Sequence, residues 1–379
     1  MKLFIENVNV YHSGSMRFYK GAVFAEDGVI VRVYRNGEQP CVMGAAVVDG
    51  QGAYLVPGLV DTHTHGIAGG DFISADSEML AKMARAYLRG GVTSVMPTLA
   101  SAPVPDMQAA IVRINEADCC DVFCGVHLEG RYLNPAKRGA HAPHLLDALD
   151  PDEMETLIDT VEGAVHVSAA FELDESGEFA ARARSKGATL GLAHTTANYA
   201  QAKLAIERGV NNFTHLFNAM PPLHHRDGGA VCAALDSDVF AELIVDGVHV
   251  SPEMVALAYR NKKEKLVLIT DSMEATDCAD GEYSIAGMPV TVKNGRAMTH
   301  DGAIAGSTLH LLDGVKNLAQ FANIPFEQAL YCATMAPAKA IGLDGEIGEI
   351  EIGKRADMLL LDENYDICRV FKNGTEVAL

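Results

Sequence analysis

The sequence has no apolar run approaching the roughly 18 residues that cross a bilayer as a helix, which argues against a helical membrane span. It has no Cys-x-x-Cys pair. Cys119 and Cys120 are adjacent, and Cys124, Cys232, Cys278 and Cys332 are scattered, a distribution that reads as reduced thiols rather than a disulfide framework. Cationic residues are scarce: 30 Lys and Arg against 50 Asp and Glu leave a net charge of −20, which argues against nucleic acid or an anionic membrane as partner. If the substrate is a phosphate ester, that field repels it, and a local cluster of Arg, His and backbone N–H groups must overcome the repulsion. Low-complexity segments and solenoid repeats are absent too. Residues 1–11 read as a strand, not as a basic start followed by a long apolar stretch, so the expectation is a cytoplasmic protein without a signal peptide.

What is present is an ordinary globular mixture, 49 % hydrophobic and 21 % charged over 379 residues, enough for one large domain and a smaller one. Residues 2–11, 22–34 and 45–56 are strand-like runs punctuated by turns such as Glu26-Asp27-Gly28. From Tyr54 the rhythm changes to strand, loop, helix. Apolar runs at 58–61, 94–97, 122–127, 164–169, 189–193, 212–214, 241–245 and 266–270 read as buried parallel strands. Helical spacing follows at 76–89, from Pro151-Asp152-Glu153, at 198–208 and at 252–262. This alternation predicts an α/β fold, a (β/α)8 TIM-type barrel over 54–344. Beyond it come helices at 306–321 and 325–341, then strands at 348–352, 357–362 and 367–373. Joining the two strand-rich ends, 1–53 and 345–379, into one small β-sandwich gives each its missing partners.

Polar residues capable of chemistry sit where those strands end: His63 and His65 after the first, Glu129 after the third, His194 after the fifth, His215 after the sixth, Asp246 and His249 after the seventh, Asp271 after the eighth. A barrel gathers all such ends on one rim. In His63-Thr64-His65 the i, i+2 spacing puts both imidazoles on one face; taken alone, the pair also reads as a polar loop. Gly130 lets the Glu129 carboxylate reach inward. His127, two residues earlier, reads as a packed, hydrogen-bonded core histidine. His194 and His215 lie 21 residues apart, one β-loop-helix-loop repeat, and so occupy equivalent places on neighbouring strands. Asp271 caps an apolar strand and must be solvated, paired or functional; a general base is the functional reading, a helix N-cap the structural one. Three His, a Glu and an Asp so placed suit a divalent metal such as Zn or Fe.

Together Val60-Asp61-Thr62-His63-Thr64-His65-Gly66, His127-Leu128-Glu129-Gly130, Ala193-His194-Thr195, His215-Leu216-Phe217-Asn218-Ala219-Met220-Pro221, Asp246-Gly247-Val248-His249 and Thr270-Asp271 resemble the amidohydrolase superfamily, and within it the N-acetylglucosamine-6-phosphate deacetylase family. The most specific stretch runs from His215 to Gly229, and the similarity spans essentially the whole chain. The resemblance implies that Glu129, His194 and His215 hold the catalytic metal. It also implies that His63 and His65 stand where some members hold a second one, and that Asp271 is general base and acid. The implied substrate is an amino-sugar phosphate, contacted by Ala140, His141, Asn218, Ala219, Arg226, Asp246, Gly247, His249, Ile304, Ala305 and Gly306. A homodimer is implied, with Arg226 reaching into the partner's site. Three departures stand out: Arg131 where the family usually has Pro, Asp227-Gly228 where Glu-Pro is common, and Thr195-Thr196-Ala197. Arg131 adds a charge near the rim that bears on sugar preference.

Other readings compete. A dihydroorotase-like enzyme uses a bridging lysine on the fourth strand, and 164–169 has none. An N-acetylgalactosamine-6-phosphate deacetylase differs only in the orientation of one substrate hydroxyl. A catalytically dead scaffold barrel should have lost a ligand or the base, and none is missing.

Overall fold

The computed structural model describes residues 1–35, 37–38, 42–119 and 121–378, so Cys120 lies outside the described residues. Cys124, Cys232, Cys278, Cys332 and Cys368 are free thiols. No helix among the described residues is long and apolar enough to cross a membrane.

Eight strands, Leu59–Thr64, Val92–Leu99, Gly125–Glu129, Ala164–Ala169, Thr189–Leu192, Asn212–Phe213, Phe240–Ile244 and Leu266–Ile269, form one parallel sheet in sequence order. Helices cover its outer face, so these strands are buried on both sides and carry near-continuous apolar runs. The sheet curls into a nearly closed barrel. The first and eighth barrel strands meet through loop and side-chain bonds: the Asp271 N–H donates to the His63 carbonyl (2.9 Å) and the His65 N–H to that of Ser272 (2.8 Å). Beneath them the buried Asp61 carboxylate accepts from the Thr270 hydroxyl at 2.6 Å and from the Thr270 N–H at 3.3 Å. Burial pushes the Asp61 carboxyl up to about 7, against the pull of those hydrogen bonds.

The helices begin where local chemistry satisfies their free N–H groups. Asp76 accepts from the Met79 N–H ahead of Ser77–Arg89. Asn198 and Gln201 form a capping box ahead of Tyr199–Glu207, and Pro151–Thr160 and Pro252–Lys262 open on proline. Val104–Asn115, Glu178–Ser185, Gly229–Leu235 and Leu311–Ala322 complete the outer layer. The 325–341 stretch is two helices, Phe326–Tyr331 and Met335–Ala340, because Pro337 is tolerated only in a first turn and forces a restart just before it.

The chain ends build a second, mostly-strand unit. Tyr54–Pro57 is its seam, parallel to Lys2–His12 on one side and antiparallel to Met358–Leu361 on the other. The barrel proper therefore starts at Leu59. Asp27 and Gly28 are left-handed (φ 50° and 84°), so 22–34 is not one run but parts of two strands, Arg17–Glu26 and Val29–Arg35, folded into a hairpin. Ala46–Asp49, Ile367–Lys372 and Thr375–Val377 complete the sheet. It wraps a core that includes Leu3, Ile5, Val10, Val23, Met358, Leu360 and Phe371. The expected strand at 348–352 is instead a loop: Gly348 is left-handed (φ 85°), Ile350 drops into that core, and Gly353 donates to Ile30. After the eighth barrel strand the chain also forms a three-stranded antiparallel sheet, Gly281–Ile285, Met288–Lys293 and Arg296–Thr299, inserted before Leu311–Ala322. Its turns, Ala286-Gly287 and Asn294-Gly295, are left-handed pairs that suit two-residue hairpins.

Lys372 and Asp357 form a buried pair at 2.7 Å in the terminal sheet. Lys372→Met strands the carboxylate in the core and should lower stability by about 3–5 kcal/mol. Urea unfolding measures this loss, and Asp357→Asn in the same chain should restore part of it.

Candidate metal centre

Where the barrel strands end, the backbone turns abruptly. His194, His215 and Asp271 are themselves left-handed (φ 43°, 33° and 48°), a conformation that costs non-glycine residues about 1–3 kcal/mol each and clusters at functional sites. These turns bring the His194 and His215 imidazoles to one side of Glu129 and the Asp271 carboxylate to the His63 and His65 side. Glu129 is followed by Gly130 at φ 132°. There a Cβ would lie 2.3 Å from the Ser101 hydroxyl and 2.7 Å from its backbone nitrogen, so only glycine fits.

The Glu129 carboxylate stands between two sets of nitrogen atoms. Its Oε2 lies 3.1 Å from His65 Nε2 and 3.4 Å from His63 Nε2. Its Oε1 lies 3.1 Å from His215 Nε2 and 3.4 Å from His194 Nε2. Asp271 Oδ1 closes the first set, at 3.2 Å from His65 Nε2 and 3.6 Å from His63 Nε2. The four imidazoles and Glu129 are buried.

These contacts fit a divalent cation. The Lys137 carbonyl only accepts, so His194 Nδ1 must donate to it (2.8 Å) and its Nε2 carries the lone pair. That lone pair lies 3.1 Å from His215 Nε2, too close for two neutral rings unless a proton or a metal ion lies between them. His63 Nε2, fully buried, has no hydrogen-bond partner. Burial alone would lower the proton affinity of His63 and His65, yet the Glu129 and Asp271 carboxylates raise both, His65 to about 9. Conversely, burial would raise the Glu129 and Asp271 carboxyls, but the charge of His63 and hydrogen bonds from the neighbouring imidazoles hold Glu129 well below the usual carboxylate range and Asp271 at about 2. The cluster thus draws positive charge, and a divalent ion held by these side chains would supply it without protonating the rings. His127 takes no part: it bonds Thr98 and Ser168, and burial drives its proton affinity well down.

A cavity of about 490 Å³ opens above this cluster. Of the residues expected to touch substrate, Ala140, His141, Asn218, Ala219, His249, Ile304, Ala305 and Gly306 line it. His141 Nδ1 faces the Ser101 hydroxyl (2.8 Å) and backbone N–H (3.4 Å), which leaves its proton on Nε2, directed at the cavity. Burial and the neighbouring His194 lower His141 to about 3, so the ring is a neutral donor. Asp246 and Gly247 stand back from the cavity lining: the Asp246 carboxylate holds His249 Nδ1 at 2.7 Å and the N–H groups of Val248 and His249, while Gly247 makes the turn between them. Arg226 is exposed on the 222–227 loop, beside His225, and does not line this cavity. Arg131 points away, clamped by Glu153 and Asp147.

Several lining residues were not read from the sequence. Lys137 and Arg138 bring two cations to the wall, one bonded to the Met220 carbonyl and the other to Asp301. The basic pair beside Ala140-His141 was the available signal. Ile285 and Ala286 come from the inserted three-stranded sheet.

The amidohydrolase family model matches residues 54–377, and the chain belongs to that family. It is 35 % identical over 328 residues to an N-acetylglucosamine-6-phosphate deacetylase of Vibrio furnissii, covering 84 % of this chain and 82 % of the other. It is 33 % identical over 356 residues to an N-acetylgalactosamine-6-phosphate deacetylase of Escherichia coli O157:H7, covering 92 % of each. Among solved structures it superposes with a TM-score of 0.91 at 30 % identity on a Mycobacterium smegmatis N-acetyl-D-glucosamine-6-phosphate deacetylase variant in complex with N-acetyl-D-glucosamine-6-phosphate, covering 100 % of this chain and 99 % of that one.

Glu129→Gln removes the charge both nitrogen sets share. The purified variant should lose bound metal, with Zn²⁺ affinity falling by more than the roughly 10–100-fold seen when only an orienting neighbour is lost; elemental analysis and calorimetric titration measure this.

Proposed function

We propose that this protein hydrolyses the acetamide of N-acetylglucosamine 6-phosphate, giving glucosamine 6-phosphate and acetate, as a cytoplasmic homodimer with Zn or Fe in the catalytic centre. Residues 59–344 form the catalytic unit, and the terminal sheet, with Tyr54–Pro57 as its seam, supports it. The observation that carries this reading is the Glu129-centred cluster lining one cavity together with Asn218, Ala219 and His249. Glu129, His194 and His215 would hold one ion, and His63 and His65 with Glu129 a second. A divalent ion so held polarises a carbonyl and makes water a nucleophile near neutral pH.

The side chains divide the remaining work. Asp271, ionised and facing the cavity, takes a proton from the water that attacks the acetamide carbonyl. The neutral His141 donates its Nε2–H to the acetyl oxygen as charge develops there. The C–N bond then breaks, and Asp271 returns the proton to the departing amine. At the other end His249, pinned by Asp246, and the backbone around Asn218-Ala219 receive the phosphate inside an otherwise acidic protein. Arg226 lies outside its own chain's cavity, which suits a role in the neighbouring subunit's site. The relative that acts on the galactosamine epimer keeps that sugar as the second reading.

An acetate-release assay on both 6-phosphorylated N-acetylhexosamines and their unphosphorylated forms should favour N-acetylglucosamine 6-phosphate; preference for the galactosamine epimer transfers the assignment to that sugar. Asp271→Asn should keep KM within a few-fold and lose about 10²–10⁴ in kcat. Arg226→Ala should raise KM for the phosphorylated sugar and leave the unphosphorylated one almost unchanged.

A further inference from the structure

The seventh barrel strand, Phe240–Ile244, is buried along its whole length, yet its middle residue is Glu242, 1 % exposed. A carboxylate there is tolerated only if its oxygens are fully bonded. Oε2 lies 3.1 Å from His63 Nδ1 and accepts from the His215 N–H at 3.3 Å. Oε1 accepts from the Asn212 side-chain amide at 2.7 Å and stands 3.9 Å from His166 Nε2. Glu242 does not line the cavity, so whatever it does it does through these neighbours.

Of these, His63 faces the metal centre. Both Glu242 oxygens already accept from N–H donors, Oε1 from the Asn212 amide and Oε2 from the His215 backbone, so the carboxylate faces His63 as an acceptor. The proton of a neutral His63 must then sit on Nδ1, which leaves the Nε2 lone pair facing Glu129 Oε2 and Asp271 Oδ1. His65 has no such support, for its Nδ1 is unpartnered.

Building on the metal-hydrolase reading, we propose that Glu242 is a positioning residue that sets the tautomer and orientation of His63, and that filling of the cation position formed by His63, His65 and Glu129 depends on it. The position at Glu129, His194 and His215 does not.

Calorimetric titration of Zn²⁺ into the metal-stripped full chain, with elemental analysis, tests this. Wild type should take up two ions. Glu242→Gln, nearly isosteric, should weaken one event about 10–100-fold and leave the other within a few-fold. His63→Ala should abolish that same event, and Glu242→Gln added to His63→Ala should change nothing more. Two ions bound by Glu242→Gln with wild-type affinity would overturn the inference, as would further weakening in the His63→Ala background, which marks a general packing role. A wild type that binds one ion, indifferent to His63→Ala, overturns it too while sparing the metal-hydrolase reading. A wild type binding no stoichiometric Zn²⁺ removes that reading itself. Should Glu242→Gln fail to fold, Glu242→Asp, whose shorter carboxylate leaves His63 Nδ1 unreached, enters the same cycle with the same criteria.

Discussion

Glu129 is almost wholly removed from water, yet it stays ionised because imidazole nitrogens approach both of its oxygens. A buried carboxylate in that state is expensive unless cations surround it, and its partners come from the first, fifth and sixth barrel strands. The barrel must therefore close, with its strand ends level, for the carboxylate to be satisfied at all. The geometry of the rim and the charge at its centre are one requirement seen from two sides.

Closure is local chemistry as much as sheet pairing. The first and eighth strands meet through Asp61, Thr270, Ser272 and the backbone of His63 and His65, residues adjacent to the ligand set. The left-handed turns at His194, His215 and Asp271 store strain at the same level. Such strain persists only where surrounding structure over-determines it, here through the barrel walls below and the shared carboxylate at the centre.

Much of this was legible in the sequence because a parallel barrel writes itself plainly: short apolar runs, each ending in a polar residue, spaced by one helix. The eight strands fall where those runs lie, and His63, His65, Glu129, His194, His215 and Asp271 sit at their ends. What escaped was carried by contacts rather than by pattern. Glu242 lies inside an apolar run whose periodicity hides it, although a charge in a buried strand is itself a signal. The three-stranded insertion leaves only the hairpin dipeptide Asn294-Gly295 as its mark in the sequence, within short runs of mixed polarity. The strand expected at 348–352 failed because Gly348 turns the chain and leaves Ile350 alone to face the core. Arg131 and Arg138 could not be told apart by composition; only the fold sends one to Glu153 and Asp147 and the other to the cavity wall.

The seam at Tyr54–Pro57 has a consequence for how the chain is made. Its partner, Met358–Leu361, leaves the ribosome roughly 300 residues later, about 15–60 s at ordinary rates of synthesis. Throughout that interval one side of the seam offers unpaired N–H and C=O groups, a template for any extended segment nearby. The barrel core also takes in Leu359, Leu361 and Val370 of that sheet, so until the last strands emerge both units keep apolar surface open that needs shielding.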